Sequence, residues 1–556
     1  MSDGDREDRS RPGRLDGSRV AVAVAAVVAL ALLARAVFLD ARPFHWHEGR
    51  AGYWSLRYLD TGVYSYRPAL GGPLVHLGTA RTIAALGRSD AAARAFVAVV
   101  GGLLPAAALL FRGTLRDDET VALAALLAGS PLLIYYSRFL RGDVPAAAFG
   151  LVAVGGVVRH RDTGARWPLY LSAAAFALAL GSSGFAVAYP VVWLVAAAFV
   201  FDEARVRGVP AAAFARATRG LAWLRATATP LARAAFVFLG VALLLFAPRG
   251  GGVAPGLWDP STLPTAVSFA VSEAPERFVS LRFAHRLDPP ADGESFIPAV
   301  VGYARTLVAT AWPALGFGIL GFLVERYRSD TRGVVAFGGY AAGFGLLVFP
   351  VVALPVAPWS VVHVVPLLAL PGAVGLARVA RWAGARATPA DPALLLAVLL
   401  VASAGLVGYG GTAAGVYAAP EPGSPYAQFA QPSDDLDPMI AAAEAAIDDR
   451  AGDGDGSDVV YVGRDLHTGQ EYALPPVERG DREAWGARLP LQWYFERMGA
   501  ESSSVLSAGQ LAEDPPPVVV TTPDQRVTVT TTLDGYEQYD LRLGLWDRTV
   551  VVFVEE

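Results

Sequence analysis

"GGPLVHLGTARTIAALG", residues 71–87, is apolar enough to be weighed as a membrane span, yet it carries His76 and Arg81. Whether it crosses a bilayer sets the side on which every later loop lies, so the rest of the chain has to decide it. The 556 residues are 54% hydrophobic with a mean hydropathy of +0.39. That is too apolar for a soluble globule and too long for one domain. Runs of roughly 20 apolar residues recur, each long enough to cross a hydrocarbon core of about 30 Å. A multi-span α-helical membrane protein is expected.

The first run, Val20 to Phe38, follows an arginine-rich tail. It exceeds the roughly 7–15 apolar residues of a signal peptide, which favours an uncleaved span over a signal cleaved near Ala34-Arg35-Ala36. Ten further runs lie near 91–111, 119–137, 143–158, 167–181, 185–201, 231–247, 300–323, 333–351, 359–378 and 391–412. Short cytoplasmic loops accumulate arginine. With the tail bearing Arg6, Arg9, Arg11, Arg14 and Arg19 inside, the alternate connections also fall inside and are also basic. They carry Arg112 and Arg116, Arg159 to Arg166, Arg205 to Arg225, Arg326 to Arg332, and Arg378 to Arg386. The opposite turns "GSSG" (181–184) and "PVAPW" (355–359) carry none. Counting 71–87 as a span would invert this pattern, so it is read as a juxtamembrane helix lying in the interface. About eleven spans result, with the N-terminus cytoplasmic and the C-terminus outside the plasma membrane.

Three long segments then face outward: 39–90, 248–299 and the tail from about 417, with the hinge "SRFLRGD" (137–143) beside them. The expected organisation is a cytoplasmic tail 1–18, a transmembrane domain 19–415, a Pro-rich linker 416–438 and a small extracytoplasmic α/β domain 439–556. That domain should hold helices near 439–450 and 491–499 and strands near 458–463, 517–522 and 548–556. The acidic loop "AGDGDGSD" (451–458) lacks the glutamate that a calcium loop needs at its twelfth position. Cysteine is absent, which excludes disulfides, thiolate metal sites and a thiol nucleophile. No metal site, cofactor or nucleic-acid partner is expected, and a divalent-ion requirement stays open. All 46 basic residues are arginine and the formal charge is −5, a balance that points to a halophile with a GC-rich genome.

The densest group of titratable side chains is "FHWHEGRAGYW" (44–54), just beyond the first span. Glu48 and His47 are candidate general bases there, because a carboxylate near lipid has its neutral form favoured and its pKa raised. Trp46, Tyr53 and Trp54 read as interface anchors. The alternative is an amphipathic helix 47–59 with its polar residues in water. In "YYSRFLRGD" (135–143), Arg138 and Arg141 stand three apart on one face of a helix end and could fork onto a phosphate. Arg141 neutralised by Asp143 is the competing reading. "YSYRP" (64–68) offers Tyr66 for sugar stacking and Arg67 for phosphate. His363 in "PWSVVHVVPL" (358–367) lies a turn inside a span, as a ligand or as a packed histidine.

In order, "RPFHWHEG", "YRP…GP", "SDAAAR", "PLLIYYSRFLRGD" and "APWSVVHVVPLLALP" resemble the GT-C class of polyprenyl-phosphate-sugar glycosyltransferases, of the protein O-mannosyltransferase and aminoarabinose-transferase type. The chain is most similar to the archaeal flippase-activity-associated membrane family of surface-protein N-glycosylation. The resemblance covers the membrane region to about residue 415 and, more loosely, the tail. It implies a polyprenyl-phosphate-linked sugar as donor, a glycan or glycoprotein acceptor and membrane lipids as surroundings. It further implies an acid in the first outer loop as base or acceptor-orienting group, and arginines that hold the lipid phosphate. Glu48 matches the second acid of the family's Asp-Glu pair, and Arg138, Arg141 and Asp143 match its R-x-x-R-x-D end. His47 stands where the family usually has Asp, and Gly71 where relatives often have His. These departures leave two functions open: transfer, and non-catalytic assistance in translocating lipid-linked sugars. A secondary transporter fits poorly, since no paired broken helices or charges at several span centres are evident.

Overall fold

The computed structural model describes residues 17–68, 72–206, 210–250, 255–283, 296–328, 331–352, 358–386, parts of 402–417, 426, 432, 434–450, 456–469, 471, 479–511, 515–543 and 548–556. Most of the expected span at 391–412, most of the linker, Gly71 and most of the acidic loop lie outside these residues. Residues 17–182 form eight α-helices: α1 Gly17–Ala36, α2 Trp46–Thr61, α3 Gly72–Leu86, α4 Asp90–Leu103, α5 Asp117–Gly129, α6 Pro131–Ser137, α7 Asp143–Thr163 and α8 Trp167–Ser182. A tighter 3-10 turn prolongs α4 from Leu104 to Phe111.

Six described helices are long and apolar enough to cross a membrane: Ser18–Ala36, Asp90–Phe111, Gly184–Asp202, Ala228–Phe246, Phe296–Arg326 and Gly333–Val352. Counting α5 and α6, bent by 53° at Pro131, as one span makes seven. The expected run at 167–181 forms α8, only 16 residues long. The run at 359–378 is broken into Pro358–Val361 and Val365–Arg386. Residues 71–87 form the 15-residue α3, well short of the roughly 20 that a span needs.

The two ends of the bundle differ in chemistry. At the end where α5 begins, Glu119 and Glu325 are buried and share Arg332, while Arg381 meets Asp118. This network ties α5 to Phe296–Arg326, Gly333–Val352 and Val365–Arg386, and it draws on the arginine-rich turns. At the other end, where α6 stops and α4 starts, α2 and the tail domain meet.

The tail domain is a five-stranded sheet in the order β2-β1-β3-β5-β4. Its strands are β1 Val459–Val462, β2 Ser502–Val505, β3 Val518–Thr521, β4 Tyr536–Arg542 and β5 Thr549–Glu555. β1 runs parallel to β2 and β3, whereas β5 is antiparallel to β3 and β4. The apolar runs "VVYV" and "VVVT" are buried throughout, as inner strands covered on both faces should be. "SSSV" and "YEQYDLR", which periodicity did not reveal, form the two polar edges.

The domain docks through its helix Leu491–Met498. Phe44 stacks on Trp493 at 4.8 Å, and its backbone N–H donates to the Tyr494 hydroxyl at 2.8 Å. Asp90, at the start of α4, accepts from Trp493 Nε1 (2.9 Å), Tyr494 Oη (3.2 Å) and Arg497 Nη1 (2.9 Å). Trp46 donates to the Gly486 carbonyl at 2.6 Å, and Tyr53 and Trp54 pack on Trp485 and Leu489. The expectation that these three aromatics anchor in the membrane interface is therefore corrected: they form the socket for the tail domain. Gly52 permits the close approach, because a Cβ there would come within 2.6 Å of the Trp493 ring. Asp90→Ala strips an acceptor from two buried donors, Trp493 and Tyr494, and from partly exposed Arg497, and is expected to loosen the docking by about 2–3 kcal/mol. Limited proteolysis should then release the tail faster, while Arg57→Ala, which breaks the partly exposed pair with Glu496, changes little.

Candidate functional site

α2 opens with a capping box built from His45 and Glu48. The His47 backbone N–H donates to His45 Nδ1 (3.0 Å), and the His45 N–H donates to Glu48 Oε2 (3.1 Å). Glu48 is fully buried. Its carboxylate also takes Arg94 as a fork, Nε to Oε1 at 2.8 Å and Nη2 to Oε2 at 2.9 Å. The Leu140 backbone N–H (2.8 Å) and Arg42 Nη2 (3.4 Å) complete the set. Glu48 thus joins α4, the 138–142 hinge and the segment that follows α1.

Burial alone would raise the Glu48 pKa, but the charges of Arg94 and Arg42 and the hydrogen bonds outweigh it and hold the carboxyl down at about 2. The sequence expectation was the reverse. It considered the lipid-like surroundings and missed the guanidiniums, which favour the charged form more than burial disfavours it. Neither does Glu48 face water, as an amphipathic helix would have it.

The hinge also differs from expectation. α6 ends at Ser137, so Arg138 and Arg141 lie in a break between helices, and their guanidiniums part company. Arg138 grips the carbonyls of Val37 (3.1 Å), Phe38 (2.6 Å) and Val416 (3.1 Å), and lies over the Tyr417 ring. Arg141 pairs with Asp143 through Nε at 2.8 Å and lies 4.0 Å from the centre of the Trp359 ring. Arg42 bridges the two halves, since Nη2 also donates to the Arg138 carbonyl at 3.1 Å. Behind the hinge, buried Arg35 donates to Ser137 Oγ and to the carbonyls of Ala31, Leu127 and Ala128, which fixes the α5–α6 bend with no acidic partner among the described residues.

Asp143 is buried at the start of α7 and accepts from Ser183 Oγ at 3.1 Å. His363 Nε2 stands 3.2 Å from the same carboxylate oxygen, and its Nδ1 is 2.7 Å from the Tyr189 hydroxyl. One tautomer satisfies both contacts, with Nε2 donating to Asp143 and Nδ1 accepting from Tyr189. His363 therefore orients Asp143, and Asp143 orients Arg141. His47 joins this group through Trp359, which meets its ring edge-on at 5.4 Å while Arg141 covers the same indole.

Tyr66 and Arg67 sit elsewhere. Tyr66 is buried edge-on against Phe246, and Arg67 lies 3.9 Å over Trp54, two turns along α2 from Glu48. The structure therefore brings together Glu48, His47, Arg138, Arg141, Asp143 and His363, puts Arg67 in a neighbouring pocket, and buries Tyr66 in an apolar cluster with Phe246 and Phe269. Sequence reasoning missed Arg42, Arg94, His45 and Trp359. An aspartate and an arginine four apart in "SDAAAR", opening an otherwise apolar helix, were the available signal for Arg94.

Charge is not balanced in this group. Among the described residues Arg42, Arg94, Arg138 and Arg141 face Glu48 and Asp143, with Asp90 near Arg94 but paired with a fifth guanidinium, Arg497, and Arg94, Arg141, Glu48 and Asp143 are at most 1% exposed. Arg42 Nε, Arg138 Nε, Arg141 Nη1 and His45 Nε2 are buried without a hydrogen-bond partner among the described residues. Burial, and behind it the charges of Arg141 and Arg42, hold His45 well below its ordinary pKa despite nearby Glu48, so it remains a neutral donor. Buried cations and N–H groups left this way are costly unless an anion completes them. An oxyanion with several acceptor oxygens fits that deficit. Among the described residues no cluster of His, Asp and Glu has the makings of a metal site.

Residues 436–555 match the family model described as "Agl23 flippase-associated protein C-terminal domain". The whole chain shares its fold with the crystal structure of ArnT from Cupriavidus metallidurans bound to undecaprenyl phosphate. The TM-score is 0.57 at 16% identity, covering 97% of this chain and 98% of that one. The apo form of that ArnT aligns equally well, at 0.57 and 16% over 96% and 98%. The Archaeoglobus fulgidus oligosaccharyltransferase gives a TM-score of 0.49 at 12% identity, over 94% of this chain and 73% of that one. No curated protein matches the chain. The fold is accordingly that of a GT-C-like membrane protein with a small C-terminal sheet domain.

Proposed function

We propose that this chain handles polyprenyl-phosphate-linked sugars on the outer face of the plasma membrane, as a glycosyltransferase-like protein of surface-glycoprotein glycosylation. The observation that carries the reading is the excess of buried guanidinium charge around Glu48, with four donors lacking partners. A lipid phosphate would supply both the charge and the acceptors. The undecaprenyl phosphate bound by the structurally similar ArnT supports the same reading. Sidedness is supported by the arginine-rich turns gathering at the end of the bundle remote from α2, as cytoplasmic turns would.

In the transfer reaction the donor phosphate lies against Arg138, Arg141 and Arg42. His47 takes the proton of the acceptor hydroxyl as its oxygen forms a bond to the anomeric carbon. The bond from that carbon to the phosphate oxygen breaks, and polyprenyl phosphate leaves with the electron pair while the arginines stabilise its charge. Glu48 is the orienting group, since both its oxygens are engaged and its pKa is about 2.

A second reading is favoured by one departure, the histidine where the resembling transferases carry an aspartate. There the same arginines hold the phosphate while the protein assists translocation without chemistry. Arg141→Gln tests what both share. The affinity of detergent-solubilised protein for polyprenyl phosphate should fall about 10- to 150-fold, and unchanged affinity would remove both readings.

A further inference from the structure

Next to the guanidinium cluster, on the following two turns of α2, lies a small recess of about 40 Å³ that opens to solvent, lined by residues that include Arg50, Trp54, Arg57, Tyr58, Tyr64 and Arg67. The recess itself has room for an anionic group, with the rest of a ligand lying at its open mouth. Thr61 and Ser65 add hydroxyls, His76 closes one side, and no carboxylate lines the wall. Arg57 is held by Glu496 at 3.2 Å. Arg67 has no acidic partner among the described residues, and its Nη1 is buried and unbonded. Burial, reinforced by the charge of Arg50, lowers its pKa to about 9, so it keeps its charge at neutral pH. The Tyr64 hydroxyl, on a side chain 8% exposed, is likewise buried without a partner. Burial pushes its pKa up, which keeps it a donor. His76 is driven down to about 4, by burial first and Arg67 next, and stays neutral.

Cavities that take neutral sugars need acceptors for the sugar hydroxyls, and here the wall supplies mainly donors. The ligand must therefore bring acceptors and negative charge. Tyr58 and Tyr64 add aromatic walls, and Thr61 and Ser65 add hydroxyl partners of the kind a sugar ring uses. We propose that this cavity is a subsite for an acidic sugar, a ring bearing a carboxylate or sulfate, with the anion held by Arg67 and the Tyr64 hydroxyl. That it receives a sugar unit of the lipid-linked or acceptor glycan rests on the function proposed above; that it prefers an anion rests on the cavity alone.

Isothermal titration of the full-length, detergent-solubilised protein with methyl glucuronoside, methyl glucoside, inorganic phosphate and vesicles containing anionic lipid decides the point. The expected result is saturable glucuronoside binding at least tenfold tighter than glucoside. Arg67→Gln should weaken it about ten- to a hundredfold, and Tyr64→Phe about three- to tenfold. Tyr64→Phe removes one oxygen and keeps the ring, so it remains informative where Arg67→Gln folds poorly. Equal affinity for glucuronoside and glucoside, absence of glucuronoside binding, or a preference for inorganic phosphate or vesicles overturns the inference. Polyprenyl phosphate titrated alongside separates the two ideas. If it binds and glucuronoside does not, the subsite alone is lost; if it fails to bind, the lipid reading is lost and the glucuronoside result still decides the cavity.

Discussion

Glu48→Gln is expected to lose folded protein before it reports on chemistry. The carboxylate receives five hydrogen bonds from four residues, and an amide can accept at only one of its two positions. Its NH₂ would face N–H donors, and fully buried Arg94 would lose its counter-charge. Removing one partner of a buried pair typically costs about 3–5 kcal/mol. The titration behaviour gives a similar size: a carboxyl held at about 2 rather than 4.5 corresponds to about 3 kcal/mol of linkage. Because the folded-state pKa is depressed, that contribution is complete above about pH 4.5 and disappears as the pH falls through about 2. The variant should therefore show a sharply lower yield of monodisperse protein and a lower melting temperature at neutral pH. A double change, Glu48→Leu with Arg94→Met, should recover part of the loss, since an apolar pair of similar volume often replaces a buried ion pair without penalty. A Glu48→Gln protein that purifies and melts like the parent would show that the carboxylate is not the keystone of this site.

What the sequence disclosed and what it withheld follow from the range of the interactions involved. Apolar runs and arginine-bearing turns are local or statistical signals, so the helical membrane character and the inner strands of the tail could be read directly. The broken helix at Val362–Val364 could not, because a 20-residue hydropathy window averages across three residues. Nor could the two edge strands, whose polar side chains lack the apolar signature of the inner ones. The site was half legible. His47, Glu48, Arg138, Arg141 and Asp143 announce themselves as charges beside apolar runs. Their electrostatic state does not, because it depends on Arg94, forty-six positions from Glu48, and on the Leu140 N–H, ninety-two positions away. The aromatic row at Trp46, Tyr53 and Trp54 shows the same limit. Membrane-interface anchors and a docking socket use the same residue types, and only Trp485 and Gly486, more than 400 positions away, tell them apart.

His47→Ala should separate the two functions that the arginine cluster leaves open. In the transfer reading the imidazole takes the acceptor proton, a contribution typically worth about 10²–10⁴ in rate. Its ring is half-buried, beside the indole that Arg141 covers, and so stands next to the proposed phosphate position without contributing to the Glu48 hydrogen-bond set. The backbone N–H that completes the capping box survives the substitution. The variant should therefore fold, keep its affinity for polyprenyl phosphate, and lose transfer by that factor, with one sugar missing from surface glycans by mass analysis. His47→Asp, which puts a smaller base at the same point, should restore part of the rate and move its acid limb to lower pH, because a carboxylate accepts protons over a lower range than an imidazole. A protein that only assists translocation has no proton to move. In that case both variants leave glycan composition and the sidedness of the lipid-linked sugar unaltered, while Arg141→Gln disturbs both. The alanine and aspartate variants thus act on the reacting proton and the arginine variant on the phosphate. Loss of transfer in His47→Ala with retained lipid binding is the outcome that only an enzyme can give.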